Sequence, residues 1–199
     1  MEPSSDIAFT PTVKQLQQRH GSRAAYARME ASGGWETTVT PELADFLAEQ
    51  TSWFLATANA EGQPYIQHRG GPVGFLRVLD DHTLGFADFA GNRQYITAGN
   101  LSENAKVCLF LVDYLHKRRI KIWGTATVVE DDPELLAKLA VPGYAGKPER
   151  AIMIHIEAWD TNCPKHIPQL VPAVDVAKLI AARDARIAEL EAELLKLRG

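Results

Sequence analysis

The sequence predicts a mainly β fold with peripheral helices, an antiparallel barrel followed by a coiled-coil-like C-terminal helix. Between Arg118 and Glu130, residues Ile120, Ile122, Gly124, Ala126 and Val128 alternate with Arg119, Lys121, Trp123, Thr125 and Thr127. That period of two is the mark of a strand with one apolar face and one polar face. Strand-like runs follow one another as hairpins with only short helices between them, which disfavours a doubly wound parallel sheet. From Ala173 to Arg198, apolar residues fall at Ala173, Val176, Ile180, Ile187, Leu190, Leu194 and Leu197, with Arg183 on one seam position. The spacing alternates fours and threes, as in a short coiled coil.

Val13, Leu16, Gln17 and His20, then Ala24, Ala25, Tyr26 and Met29, suggest two short helices interrupted at Gly21 and ending before Gly33-Gly34. Thr40-Pro41 reads as an N-cap with proline at the first helical position, and Leu43, Phe46 and Leu47 form the apolar face of a helix reaching Gln50. Trp53–Thr57 and Pro64–Arg69 make a hairpin across Asn59–Gly62, and Gly74–Asp80 with Thr83–Asp88 a second across Asp81-His82. Lys106–Val112 is a continuous apolar run, expected to be buried on both faces. Pro133–Leu139 suggests a short helix and Ala151–Trp159 a last strand, bringing the expected number of strands to about seven.

The chain has 199 residues, 46% hydrophobic and 23% charged, the balance of an ordinary globular protein. Its formal charge of −4 argues against a general affinity for nucleic acid or anionic membranes. Cys108 and Cys163 match no disulfide or metal spacing, and the N-terminus has neither the basic nor the apolar region of a signal peptide. A cytoplasmic protein with reduced thiols is expected.

No Walker loop, dinucleotide-binding turn, zinc pair or nucleophile elbow is present. His68, His116, His155, His166 and Cys163 form no short chelating pair, so no metal is expected. Two stretches carry more. In Gln67-His68-Arg69-Gly70-Gly71-Pro72 a strand ends in arginine and glycines, where a flat ligand can approach the backbone. In Asp88-Phe89-Ala90-Gly91-Asn92-Arg93, Asn92 is positioned to cap a helix beginning near Arg93, and such a helix start with a guanidinium suits a phosphate. A tight turn and an ordinary capped helix explain the same residues.

Taken together with Phe54–Thr57, Gly62-Gln63-Pro64, Gly74-Phe75, Gly99-Asn100-Leu101, Asn104 and Arg118–Gly124, these stretches resemble the pyridoxamine 5′-phosphate oxidase-like family of flavin-binding proteins over roughly residues 41–167. The resemblance implies an antiparallel split β-barrel, the FMN-binding split barrel, forming a homodimer with FMN at the subunit interface. It implies that Arg69, Gly70, Gly71 and Pro72 lie along the isoalloxazine ring and ribityl chain, that Ala87 and Asp88 follow on the next strand, and that Asn92 and Arg93 bind the phosphate. Arg119, with Lys121 beside it, matches the family position near the ring's polar edge. Cys163 and Lys165 resemble a Cys-x-Lys loop that approaches the flavin in relatives outside the true B6 oxidases.

The chain lacks the C-terminal Trp- and Arg-containing segment of a true pyridoxamine 5′-phosphate oxidase, so B6 oxidation is not carried over. The expectation is an FMN-dependent oxidoreductase passing hydride between flavin N5 and a small substrate or nicotinamide donor. The alternatives are a non-catalytic flavin-binding protein for storage or sensing, and a relative using haem or a deazaflavin. The expected organisation is a helical arm over 1–39, the split barrel over 40–170 and the amphipathic helix over 171–199.

Overall fold

Thr40 and Pro41 start the first core helix as their chemistry dictates: the Thr40 hydroxyl accepts the Leu43 amide at 3.3 Å, and proline occupies a position whose amide would go unpaired. This structure, a computed structural model, describes residues 2–198; residues 1 and 199, the outer ends of the expected arm and tail, lie outside the described residues. The chain divides into two units, one running to Val112 and resuming over Arg119–Cys163, the other comprising Asp113–Arg118 and the chain from Pro164.

The first unit opens with a 3-10 turn at Ser4–Ile7, helices α1 (Pro11–Arg19) and α2 (Arg23–Ala31), and then α3 (Pro41–Ala48). Strands β1 (Ser52–Ala58), β2 (Pro64–Gly70), β3 (Arg77–Val78), β4 (Thr83–Phe89), β5 (Lys106–Asp113), β6 (Arg118–Val129) and β7 (Pro148–Thr161) make one sheet. Helix α4 (Ile96–Glu103) joins β4 to β5, and α5 (Pro133–Leu139) joins β6 to β7. The strand order is β2-β1-β5-β6-β7-β4-β3, and the pairings described, including β1–β2, β1–β5, β4–β7 and β6–β7, are antiparallel.

The sheet curls on itself. Trp53 on β1 and Phe86 on β4, with three strands between them in the order, meet edge to face with ring centroids at 5.1 Å. The main core includes Leu55, Leu84, Leu109, Ile122 and Ile154, and a smaller cluster of Ala87, Leu139 and Ala151 sits under α5. This is the antiparallel split-barrel architecture, with helices at its periphery. In the second unit, Asp113 accepts from the His116 amide at 3.0 Å and from Arg118, Gln169 Nε2 donates to the Leu115 carbonyl at 3.0 Å, and α6 (Ala173–Arg198) follows. Among the described residues no helix is long and apolar enough to cross a membrane.

Three local expectations are corrected. The strand expected over Gly74–Asp80 shrinks to the two residues of β3, because Phe75 and Leu76 turn into the core and are buried instead of alternating. The strand β5 is not buried on both faces: Val107, Leu109 and Leu111 point into the core, while Cys108 and Phe110 sit partly exposed on the outer wall. The helix expected near Arg93 begins three residues later, at Ile96. The Asn92 side chain instead accepts the Gln94 amide at 3.2 Å, a local turn that competes with helix, and Arg93 and Tyr95 both take left-handed backbone angles with φ of 56°.

Gly124 explains the register shift between β6 and β7. A Cβ built there would sit 2.0 Å from the His155 carbonyl oxygen, which is backbone and cannot move aside. Gly124→Ala is therefore expected to destabilise the fold by about 3 kcal/mol through overpacking, read as a lowered midpoint in urea denaturation; an unchanged midpoint contradicts this account of the bulge.

Candidate functional site

Arg69 lies on edge strand β2 and Asp88 near the end of β4, almost at opposite ends of the strand order. Curling of the sheet brings them together across the seam, with Arg69 Nη1 donating to Asp88 Oδ1 at 2.5 Å. Arg69 is 8% exposed, and its guanidinium also lies 5.4 Å from the Phe86 ring centroid. A buried guanidinium needs such a partner, because an unpaired charge away from water is very costly.

A second cation completes the group. Arg150 on β7 sits with Nε 3.7 Å from Asp88 Oδ2 and donates to Glu130 at 2.9 Å and to Glu149 at 3.3 Å. Its guanidinium carbon lies 5.0 Å from the Tyr95 ring centroid. Helix α4 is fixed above these residues by two side-chain bonds: Thr97 Oγ1 donates to Gln67 Oε1 on β2 at 2.7 Å, and the buried Asn100 Nδ2 donates to Thr57 Oγ1 on β1 at 2.9 Å. The start of α4 has no side-chain cap. Its positive dipole end thus faces a cleft of about 210 Å³ that also carries Arg69, Arg93 and Arg150 against Asp88 and Glu149.

The donor set fits an anion. The Nε–H groups of Arg69 and Arg150 are buried without a hydrogen-bond partner, and the Arg93 side chain is 68% exposed with only a 3.6 Å contact to Glu149. Unspent guanidinium donors at an uncapped helix start suit phosphate oxygens, which accept several such bonds at once. The left-handed Arg93 and Tyr95 hold the connecting loop in a conformation that L-residues adopt at a cost of roughly 1–2 kcal/mol each.

A second, larger cleft of about 760 Å³ lies elsewhere in the same unit and shares no residue with the first. Its aromatic wall starts at the sheet, where Trp35 stacks on Trp123 with centroids 4.7 Å apart and planes at 7°, and continues through Phe9 to Tyr26. The arm is pinned there by Ser4 Oγ donating to the Trp35 carbonyl at 2.6 Å and by the Trp159 indole donating to the Thr38 carbonyl at 2.8 Å. Arg119, Lys121, Asp160, Asn162 and Cys163 supply the polar side. Arg119 Nε and Asn162 Oδ1, a donor and an acceptor on residues joined by a backbone bond of 3.2 Å, are both buried and unpartnered.

With this geometry in place, comparison with known proteins gives the relationship. The family model for pyridoxamine 5′-phosphate oxidase matches residues 39–163, well over half of the chain. The chain belongs to the pyridoxamine 5′-phosphate oxidase family. The structure of HupZ from Group A Streptococcus is similar at 24% identity and a TM-score of 0.52, covering 67% of this chain and 99% of HupZ. A substituted form of HupZ is similar at 25% identity and a TM-score of 0.51, covering 62% and 99%. An FMN-binding protein from Syntrophomonas wolfei shares 14% identity over 75% of this chain and 96% of its own, with a TM-score of 0.48. No curated protein matches the chain.

In this pyridoxamine 5′-phosphate oxidase family member, the residues singled out from the sequence fall into separate places. Arg69, Asp88, Asn92 and Arg93 line the first cleft, and Gly70 and Ala87 line its continuation along β2 and β4. Arg119, Lys121 and Cys163 line the second. Gly71 and Pro72 line neither: the Gly71 amide donates to the Thr51 carbonyl at 3.0 Å, and a Cβ on Gly71 would meet the Phe75 ring at 2.6 Å. Lys165 is exposed and belongs to the second unit.

Sequence reasoning missed Arg150 and the Phe9–Trp35 wall. Arg150 is the third residue of a strand that begins with Pro148, and only the β4–β7 pairing, which sets Arg150 opposite Asp88, gives it a role. Trp35 follows the Gly33-Gly34 break and belongs to no periodic run; a lone tryptophan beside a turn was the available signal.

Burial pushes the Asp160 carboxyl above its ordinary range, with Lys121, its cross-strand partner, opposing the shift. The folded state then holds this proton to a higher pH than the unfolded chain does, so ionised Asp160 costs stability at neutral pH and costs nothing below the unfolded value of roughly 3.9. Asp160→Asn is expected to raise the urea midpoint at neutral pH, with the gain closing as pH falls into the ordinary carboxylate range. A gain of the same size at both ends contradicts the assignment.

Proposed function

We propose that the chain is an FMN-binding oxidoreductase that works as a homodimer, with the phosphate in the arginine cleft at the start of α4. The observation that carries this reading is the set of unspent donors there, from Arg69, Arg93 and Arg150, in a member of this family. Arg93 reaches from the rim to the phosphate, and the uncapped first turn of α4 adds its positive end. Gly70 and Ala87, which line the continuation of the cleft, run beside the ring and ribityl chain, with Gly71 and Pro72 forming the turn that leads away from Gly70, and Asp88 holds Arg69 in place.

The homodimer is supported by the division of the candidate residues between two cavities. A single flavin touched by both sets is most simply bound by the first cleft of one copy and the Arg119–Lys121 side of the other. An outer face of the sheet suits such a contact: Phe54, Ala56, Ile66, Cys108 and Phe110 line an apolar hollow of about 430 Å³ whose edge is Lys121, and Ile66 is 65% exposed. Bound flavin supplies hydride acceptance and donation at its N5. Arg119 and Lys121 supply positive charge at the ring's polar edge, which lowers the cost of negative charge there. Cys163 and Asn162 stand at the same cleft. Lys165 is proposed to approach the flavin from the Cys-x-Lys loop.

Purified protein is expected to show flavin absorption bands, to release a compound of the mass of FMN, and to bleach on addition of NADPH. A colourless protein that takes up no added FMN contradicts the cofactor reading, and bands that do not bleach with a reduced nicotinamide restrict the chain to flavin binding. Arg93→Ala is expected to weaken FMN binding by about 1–3 kcal/mol through loss of a charge-assisted phosphate contact. Unchanged affinity in a fluorescence-quenching titration sinks the phosphate assignment.

A further inference from the structure

Helix α6 runs for 26 residues without one buried side chain. Its large aliphatics stand in water: Ile180 and Ile187 are each 53% exposed, Leu190 42% and Leu194 51%. In proteins most of a helix's stability comes from packing its apolar face against something else. The seam specifies what covers it. In heptad terms the a positions are Ala173, Ile180, Ile187 and Leu194, and the d positions are Val176, Arg183, Leu190 and Leu197. Isoleucine at successive a positions with leucine at d favours two parallel strands.

The flanking charges select the same arrangement. In a parallel in-register pair each g residue faces the e residue five places on in the other chain. Here Arg186 faces Glu191, and Glu193 faces Arg198, so both charged pairs attract, and each occurs twice by symmetry. An antiparallel pair with full overlap instead sets Arg186 against its own copy and Asp184 against its own copy. Within one chain, among the described residues, Arg186 pairs with Glu189, one turn on, at 2.7 Å between two well-exposed side chains. Arg183 is the single charged residue on the seam; its aliphatic stem can lie along the interface while its head reaches water. A lone charged layer lowers stability but penalises slipped registers, in which it would face an aliphatic residue.

We propose that α6 docks on the α6 of a second copy of this chain as a parallel, in-register, two-stranded coiled coil, oriented by Arg186–Glu191 and Glu193–Arg198 pairs between the copies. The inference does not rest on the flavin reading. It is tested in the full-length protein with Leu197→Cys, which places a thiol at the last d position. Two such thiols adjoin in the parallel pair and lie some 35 Å apart in the antiparallel one, from a rise of about 1.5 Å per residue. Under a glutathione redox buffer, non-reducing electrophoresis is expected to show a disulfide-linked dimer well above the level seen with the unsubstituted protein. Adding Arg186→Glu is expected to lower the linked fraction several-fold, and adding Glu191→Arg as well is expected to restore it. Both charge changes lie on the exposed helix, and circular dichroism checks that each variant is folded. A linked fraction no greater than that of the unsubstituted protein, one indifferent to Arg186→Glu, or one not restored by Glu191→Arg overturns the proposal.

Discussion

The barrel is organised around one ion pair. Arg69 stands on an edge strand and Asp88 on a strand almost at the other end of the sheet, and they can meet only when the sheet has closed. Closure nearly removes Arg69 from water, so in the closed state its charge is tolerable only with Asp88 beside it. Removing one partner of a buried pair typically costs about 3–5 kcal/mol, because the other charge is left uncompensated. The pair therefore couples closure of the fold to construction of the cleft. It aligns β2 and β4, and Asp88 then draws in Arg150 from β7.

From that constraint the cleft follows. Two side-chain hydrogen bonds, Thr97 to Gln67 and Asn100 to Thr57, seat α4 over the β1–β2 hairpin, so its uncapped start opens beside the closing pair. Three guanidiniums then converge on one short helix terminus while only two carboxylates among the cleft residues answer them. The second cleft is built on other principles. Stacking of Trp35 on Trp123 extends the barrel's own aromatic surface into the N-terminal arm, and the unpartnered Arg119 and Asn162 atoms provide its polar recognition. One cavity gathers arginines at a helix start, and the other sets an aromatic wall against a polar side that includes Arg119, Lys121, Asp160 and Asn162.

Much of the architecture is legible in local sequence. The period of two along β6 reports one buried face, and Thr40-Pro41 marks a helix start that the structure caps with the expected side-chain oxygen. What local pattern does not reveal is where a residue ends up in three dimensions. The Phe75-Leu76 pair has strand-like composition, yet both side chains are drawn into the core and β3 shortens. Asn92 carries the chemistry of a helix cap, but its side chain satisfies the Gln94 amide two residues on and delays the helix to Ile96. The apolar run of β5 reads as doubly buried because its outer face is apolar too, and within one chain that face has only a shallow cover. Arg150 is invisible without the β4–β7 register, and Trp35 without the fold of the arm.

The arginine cleft at the start of α4 is the proposed phosphate site. Titration calorimetry of the flavin-free protein with FMN and with riboflavin, which differ only in the phosphate, tests this most directly. Two or more charge-assisted hydrogen bonds to that group predict FMN binding tighter by on the order of 100-fold or more, with the difference shrinking as salt rises. Equal affinities for the two compounds would contradict the account.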